Sequence, residues 1–225
     1  MRGICEGRVV IVTGAGGGLG AAHARVLAAE GAAVVVNDIN TAAAQQTVDT
    51  ITAAGGNAVV NTSDITHYED AGNAVQQALQ IFGDLHAVVN NAGNNRDRMF
   101  ASLSEADWDA VMSVHLKGHF CISSHAVQYW RHQSKAAASV SGRIVNTTSG
   151  AGLQGSVGQS NYAAAKAGIA ALTLNQGAEL ARYGVTANAI APVARTGMTS
   201  AVPQMAARMA VPTDGSFDAF APENV

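Results

Sequence analysis

The stretch Val9-Val10-Ile11-Val12-Thr13-Gly14-Ala15-Gly16-Gly17-Gly18-Leu19-Gly20 decides the fold of this 225-residue chain. It opens as a short β-branched apolar run, which predicts a buried strand, and passes through a Gly-rich turn into an Ala-rich helical segment. Glycines allow a tight turn and close approach of the backbone to a ligand, and the amides at a helix N-terminus favour anions. The stretch therefore predicts a strand–turn–helix unit that binds a pyrophosphate.

The same alternation continues along the chain. Strands are predicted at residues 8–13, 33–38, 58–62, 86–90, 143–148 and 186–190. Helices are predicted at residues 19–30, 42–54, 68–82, 105–131 and 160–183. Continuous apolar strands are typical of a parallel sheet covered on both faces. Right-handed β-α-β crossovers then give an α/β fold with a doubly wound, Rossmann-type parallel sheet, with ligands beyond the carboxyl ends of its strands.

Composition limits the classes of function. A chain of 225 residues, 48% hydrophobic and 13% charged, fits one domain spanning residues 1–225. A net charge of −3 without a basic run argues against nucleic acid, and no apolar run has transmembrane length. Cys5 and Cys121 are isolated, which predicts reduced thiols in a cytoplasmic protein, and the histidines show no metal-binding spacing.

The end of the second predicted strand carries Asp38. An Asp at this point can accept hydrogen bonds from an adenosine ribose diol, and its charge would repel a 2′-phosphate. Because no Arg or Lys stands in the Gly-rich turn or beside Asp38, the sequence predicts NAD rather than NADP. The alternative is a strand-end Asp that only caps the next turn.

The next two strand ends carry similar signals. Asp64 and the backbone amide of Ile65 could meet the edge of an adenine ring. Asn90-Asn91-Ala92-Gly93 ends the fourth strand, where Gly93 would let the backbone lie against a cofactor. Taken alone, either segment would be an ordinary Asx turn.

A hydroxyl, a phenol and an amine follow the fifth strand. Tyr162 and Lys166 are four residues apart and share one face of a helix, and Ser149 returns to them through a Gly-rich loop. An ammonium beside a phenol lowers the phenol's pKa, which suits a general acid/base. The alternative is an amphipathic helix with an exposed Lys166 and a half-buried Tyr162.

Together these motifs resemble the short-chain dehydrogenase/reductase family. Gly14-x-x-x-Gly18-x-Gly20, Asp64, Asn90 to Gly93, Ser149 and Tyr162-x-x-x-Lys166 have its order and spacing, from about residue 7 to residue 198. The resemblance implies hydride transfer between a secondary alcohol or ketone and a nicotinamide. It makes Tyr162 the general acid/base, Ser149 the group that holds the substrate oxygen, and Lys166 the residue that binds the nicotinamide ribose and lowers the pKa of Tyr162. The residues expected at the cofactor are Gly14, Gly16, Gly17, Gly18, Leu19, Gly20, Asp38, Asp64, Ile65, Asn91, Ala92, Gly93, Tyr162, Lys166, Pro192 and Thr196.

Within that family, the chain is more similar to the dehydrogenase domains of peroxisomal-type multifunctional β-oxidation enzymes and their actinobacterial relatives. The phrases at residues 35–38, 96–100, 114–118 and 158–162 carry this likeness. It implies 3-hydroxyacyl-CoA substrates, with hydroxysteroids as the alternative, and a homodimer or homotetramer. Arg96 and Arg98 could then face a CoA phosphate, or they could belong to a solvated loop.

Three features depart from the family's pattern. His115 stands where most members have an Asn that serves a proton relay, so it either continues the relay or only packs in its helix. Val193 stands where the family usually has Gly after Pro192, and the stretch from Pro192 to Thr199 is one residue shorter than the common form, so Thr196 falls only roughly where a Thr contacts the nicotinamide carboxamide. Residues 192–225 predict a substrate loop or lid, or a disordered tail, and the final strand of the family is missing, which indicates an omitted tail or a lost sheet edge. A catalytically weak NAD-binding protein or an epimerase or dehydratase relative are the remaining alternatives.

Overall fold

A computed structural model describes residues 3–200 and 203–224 and contains one parallel six-stranded sheet. The strands are β1 Val9–Thr13, β2 Ala33–Asn37, β3 Asn57–Asn61, β4 Ala87–Asn90, β5 Gly142–Thr147 and β6 Val185–Ile190. Their order is β3-β2-β1-β4-β5-β6, with every neighbouring pair parallel. The predicted doubly wound sheet is confirmed, because the order reverses between β1 and β4.

Helices cover both faces of the sheet. They are α1 Gly18–Ala29, α2 Thr41–Ala53, α3 Tyr68–Phe82, α4 Glu105–Met112, α5 Gly118–Lys135, α6 Gly150–Gln154, α7 Ser160–Leu180, α8 Gly197–Ser200 and α9 Pro203–Arg208. None of the described helices combines the length and the hydropathy that a membrane-spanning segment needs.

The apolar strands divide the core into two layers. Alternate residues of β1 enter opposite layers, so Ile11 packs with Trp130 of α5, whereas Val12 packs with Ala24 and Ala28 of α1. The alanines let α1 lie close to the sheet. This double coverage explains why the strands are continuously hydrophobic.

The helix predicted over residues 105–131 is interrupted. A π-helical turn, Ser113–Lys117, joins α4 to α5 and contains His115. Such turns are frequent at functional sites.

Short helices also form where a loop or lid was predicted. Ser149 caps α6 by accepting a hydrogen bond from Ala151 N at 3.2 Å. In the region from residue 192 onwards, Arg195 pairs with Asp218 and donates its backbone amide to Phe220 O at 2.7 Å. Residues 201, 202 and 225 of the predicted lid lie outside the described residues.

Candidate active site

One cavity at the carboxyl edge of the sheet brings the predicted catalytic side chains together. It has a volume of about 580 Å³ and lies among the segments that follow β4, β5 and β6. Ser149, Tyr162, Lys166 and His115 all line it. So do Leu19, Asn91, Gly93, Pro192 and Thr196 from the predicted cofactor set.

Lys166 points into the protein rather than to solvent. The residue is only 2% exposed, and its Nζ donates a hydrogen bond to Thr147 O at 2.6 Å. The same Nζ lies 5.5 Å from the centroid of the Tyr162 ring. The alternative of an exposed lysine on an amphipathic helix is therefore wrong.

Both pKa values of this pair are shifted from their ordinary values. Burial lowers the pKa of Lys166 to about 7. Burial raises the pKa of Tyr162, Ser149 lowers it through hydrogen bonding, and the charge of Asp97 raises it, with a net increase. The net shift of the Tyr162 pKa is upward, and the lowering of that pKa by Lys166 stays a prediction.

The end of β5 is fastened to α7. Thr148 Oγ1 donates a hydrogen bond to Lys166 O at 2.7 Å, so the segment that carries Ser149 stays beside the helix that carries Tyr162. Since Ser149 also caps α6, its hydroxyl is held at the junction of a strand and a helix. The sequence could not show that the end of β5 is joined to α7 in this way, because the bond links residues that are far apart along the chain.

His115 is a buried, neutral residue in contact with Tyr162. Its ring meets the Tyr162 ring edge-on, with centroids 5.2 Å apart, and burial lowers its pKa to about 3. Nε2 lies 3.0 Å from Asn94 N and 2.8 Å from Asn94 O, and the tautomer decides which of them it bonds. Nδ1 has no hydrogen-bond partner among the described residues.

The Gly-rich turn fits a dinucleotide pyrophosphate. Gly17, the N-cap of α1, provides no side-chain cap, and a Cβ there would meet no heavy atom of the described residues within 4 Å, which leaves open space beside the start of α1. By contrast, a Cβ on Gly14 would come within 2.7 Å of Ala92 Cα. Gly17 thus leaves space for a ligand, and Gly14 permits close packing against Ala92.

Asp38 is fixed at the edge of this turn. Its Oδ2 accepts a hydrogen bond from Gly16 N at 2.9 Å, and its Oδ1 accepts one from Asn40 N at 2.9 Å. A Cβ on Gly16 would approach Asp38 Oδ2 to 2.8 Å. The turn-capping role is therefore present, and the contact of Asp38 with a ribose stays a prediction.

Asp64 and Ile65 belong to a tight turn after β3. Asp64 Oδ1 accepts hydrogen bonds from Thr66 N at 2.9 Å and from Thr66 Oγ1 at 2.8 Å. The Ile65 side chain is buried in the core and would contact a Cβ on Gly118. The side chains thus form the Asx turn, and the contact with adenine stays a prediction.

Asn91 and Ala92 fasten the end of β4 to the Gly-rich turn. Asn91 Nδ2 donates to Thr13 O at 3.0 Å and to Gly14 O at 3.3 Å. The backbone amides of Asn91 and Ala92 donate to Thr13 Oγ1. Thr13, whose role the sequence did not reveal, therefore joins two strands; a hydroxyl directly before the glycines was the available signal.

Pro192 and Thr196 enter the cavity from the segment after β6. Thr196 N donates to Thr199 Oγ1 at 2.8 Å, and Thr196 Cγ2 lies 3.4 Å from the position of a Cβ on Gly18. Thr196 therefore stands between the Gly-rich turn and the cavity that contains Tyr162.

Asn161, which the sequence reasoning did not single out, positions the start of α7. It is fully buried, and its Nδ2 donates to Arg96 O and to Asp107 O, each at 3.1 Å. Its Oδ1 accepts from Tyr162 N at 2.8 Å. The only sequence signal was its place next to Tyr162.

Arg96 and Arg98 do not line the cavity. Both are exposed, and their guanidinium groups donate to the carbonyls of Asn95 and Asp97. The solvated-loop interpretation therefore fits them better than contact with a substrate anion. Their neighbour Asp97 and the distant Arg208 line the cavity instead. Within the described residues, no group of three or more His, Cys, Asp or Glu could hold a metal ion.

Comparisons with known proteins identify the family of the chain. The family model described as "short chain dehydrogenase" matches residues 8–207. The chain is 49% identical to the hydroxyacyl-CoA dehydrogenase ChsB1 of Mycobacterium tuberculosis, over 98% of this chain and 70% of that protein. It is 42% identical to mouse (Mus musculus) peroxisomal multifunctional enzyme type 2, over 88% of this chain and 27% of that protein. A short chain dehydrogenase structure from Mycobacterium avium superposes with a TM-score of 0.88 at 55% identity, covering 99% of this chain and 75% of the other.

Proposed function

Because the chain belongs to the short-chain dehydrogenase family, we propose that it is an NAD-dependent dehydrogenase acting on 3-hydroxyacyl and 3-oxoacyl thioesters. The observation that carries this proposal is that Ser149, Tyr162 and Lys166 line the same cavity as Gly93 and Thr196. Such a cavity offers a proton donor, an oxygen-binding hydroxyl and a place for a planar cofactor ring together.

Family membership implies an NAD(P) cofactor, which supplies hydride transfer when it is bound. The amides at the start of α1 would hold its pyrophosphate, and Asp38 its adenosine ribose. Thr196, Pro192 and Lys166 would lie toward the nicotinamide end. The charge of Asp38 supports NAD over NADP, since residues 13–20 contain no cation to neutralise a 2′-phosphate.

Tyr162 is the proton-transferring group in this proposal. Its raised pKa keeps the phenol protonated at neutral pH, which suits donation to a carbonyl oxygen during reduction of a ketone. In the oxidative direction Tyr162 would act as the phenolate and accept the proton of the substrate hydroxyl. Ser149 would donate a hydrogen bond to the same substrate oxygen, and His115, neutral and in contact with the Tyr162 ring, would hold the phenol in place.

The thioester substrate class rests on similarity and on the cavity's size. The relatives above include a protein named hydroxyacyl-CoA dehydrogenase. A cavity of about 580 Å³ is in the size range of small-molecule sites, and its lining includes the residues assigned to the nicotinamide as well as Tyr162. Exposed Phe120 on α5 and Leu174 on α7 favour a homodimer or homotetramer. The free Cys5 and Cys121 fit a reducing compartment such as the cytoplasm.

A steady-state screen tests the proposal. The chain would be assayed with 3-hydroxyacyl-CoA thioesters of increasing length and with hydroxysteroids, each with NAD and with NADP. We expect the highest kcat/KM for a thioester with NAD. A higher kcat/KM for a hydroxysteroid would replace the substrate class, and NADH binding without turnover of any alcohol would indicate a catalytically weak binding protein.

A further inference from the structure

Asp97 presents an unpaired carboxylate oxygen at the cavity that contains Tyr162. The residue lies in the loop after β4 and lines the same cavity as Ser149, Tyr162 and Lys166. Its Oδ1 is buried and has no hydrogen-bond partner in the part of the chain that the structure describes. Leaving a carboxylate oxygen buried without a donor is unfavourable, so a donor from a bound ligand would relieve that cost.

The carboxylate is held in place from the other side. Gln159 Nε2 donates to Asp97 Oδ2 at 3.0 Å, so one carboxylate oxygen has a donor, whereas the buried Oδ1 has none among the described residues. The loop is also fixed by backbone contacts, because Arg98 N donates to Gly158 O at 2.8 Å. The buried Asn161 adds a further bond to Arg96 O. Asp97 is therefore preorganised beside the start of α7, where Tyr162 lies.

The charge of Asp97 is not neutralised by an ion pair within the described residues. The neighbouring Arg98 donates Nη1 to the backbone carbonyl of Asp97, and its Nε lies 4.0 Å from Asp107 instead. Arg208 lines the same cavity but is exposed, so solvent and salt screen its charge. The negative charge also acts on Tyr162, whose pKa it helps to raise.

We propose that Asp97 is a specificity-determining residue that accepts a hydrogen bond from the amide N–H of a substrate's thioester arm and repels substrates that end in a free carboxylate. The inference rests on the proposed function and deepens it, because it explains how a 3-hydroxyacyl thioester is distinguished from the corresponding 3-hydroxy acid. A charged acceptor gives a stronger hydrogen bond than a neutral one, and two carboxylates close together repel each other.

Three small substrates separate these effects. They are the N-acetylcysteamine thioester of 3-hydroxybutyrate, which has the amide N–H, its S-(2-acetoxyethyl) analogue, in which an ester oxygen replaces that N–H, and free 3-hydroxybutyrate. In the wild type, we expect the amide thioester to exceed its ester analogue in kcat/KM by about tenfold. The free acid should be the poorest substrate of the three.

Two variants then distinguish charge from hydrogen bonding. Asp97→Asn removes the charge, so the kcat/KM of the free acid relative to the amide thioester should rise at least about fivefold. Asp97→Ala removes the acceptor, so the ratio of amide to ester analogue should fall to about one. Asp109→Asn, which removes an exposed carboxylate of α4 outside the cavity, is the matched control and should change neither ratio.

The outcomes also separate this inference from the proposed function. Suppose that the wild type oxidises the thioesters and that both Asp97 variants leave the acid-to-amide and the amide-to-ester ratios of kcat/KM unchanged. Asp97 then only holds Gln159 by a hydrogen bond, and the inference is wrong. If the wild type oxidises none of the three substrates, the proposed thioester activity is wrong and the inference is overturned with it.

Discussion

Lys166 Nζ donates a hydrogen bond of 2.6 Å to the carbonyl oxygen of Thr147, the last residue of β5. The bond ties a side chain of α7 to the strand that precedes Ser149, and it takes the ammonium away from solvent. A single hydrogen bond does not replace the hydration of an ammonium, which is why burial lowers the pKa of Lys166 to about 7.

The first prediction concerns stability and pH. The pKa of Lys166 is about 7 in the folded protein, against about 10.4 in an unfolded chain. Between these values the unfolded state binds more protons, so Lys166 makes the free energy of unfolding rise with pH, by up to about 1.4 kcal/mol per pH unit. We expect the free energy of unfolding of Lys166→Met, relative to that of the wild type, to be higher at pH 6 than at pH 9. Urea unfolding without cofactor measures this difference at the two pH values.

Lys135→Met is the matched control for that experiment, because Lys135 is exposed at the end of α5. A difference between wild type and Lys166→Met that stays constant from pH 6 to pH 9 would show that Lys166 does not titrate near neutrality.

The second prediction concerns packing between Gly93 and His115. A methyl group on Gly93 would overlap Cε1 of the His115 ring. Gly93→Ala should therefore lower the free energy of unfolding by about 1–3 kcal/mol, since buried groups have little room to shift. In the His115→Ala background the same change should cost about 1 kcal/mol less, which a double-mutant cycle in urea measures.

Gly17→Ala is the control for that cycle, because a Cβ there meets no heavy atom within 4 Å and φ is −167°. It should change stability by less than about 1 kcal/mol. Strictly additive effects of Gly93→Ala and His115→Ala would contradict the predicted contact.

The third prediction concerns cofactor choice. Asp38→Ala removes the carboxylate that Gly16 N and Asn40 N hold at the edge of the Gly-rich turn. NADH should bind about tenfold more weakly, because one charged acceptor is lost, and the preference against NADPH should decrease. Fluorescence titration with both reduced cofactors measures this change.

Asp49→Ala is the matched control, since Asp49 is an exposed carboxylate on α2 that bonds to Gln45. A wild-type protein that already binds NADPH more tightly than NADH would refute the role assigned to Asp38.

Much of this fold follows from local sequence. The strand around Ile11 and the glycines after Thr13 have a pattern that belongs to one architecture, and the structure confirms the doubly wound sheet. The meeting of Ser149 with Tyr162 was also predicted, although from family resemblance together with the helical spacing of Tyr162 and Lys166.

Other features depend on contacts that sequence does not encode locally. The π turn at His115 and the bonds of Asn161 arise where distant segments meet. The direction of the Tyr162 pKa reflects burial, the hydrogen bond of Ser149 and the charge of Asp97, none of which the Tyr-x-x-x-Lys spacing reveals. The substrate-binding part of the site was the hardest to predict from sequence. Arg96 and Arg98 are exposed, and the carboxylate of Asp97 between them lines the cavity.

The fourth prediction tests the central claim that Tyr162 transfers the proton. Tyr162→Phe keeps the ring that contacts His115 and removes only the hydroxyl. General acid/base catalysis contributes about 10²–10⁴-fold, so kcat for a 3-hydroxyacyl thioester should fall at least that far. Tyr183→Phe, which removes a phenol of the segment after α7 that does not line the cavity, should leave kcat unchanged.

The most direct measurement pairs kcat of Tyr162→Phe with its Kd for NADH in the same preparation. A loss of turnover with NADH affinity within about twofold of the wild type is the predicted result, because the hydroxyl acts on the substrate oxygen rather than on cofactor binding. Turnover close to that of the wild type would contradict the assignment of Tyr162.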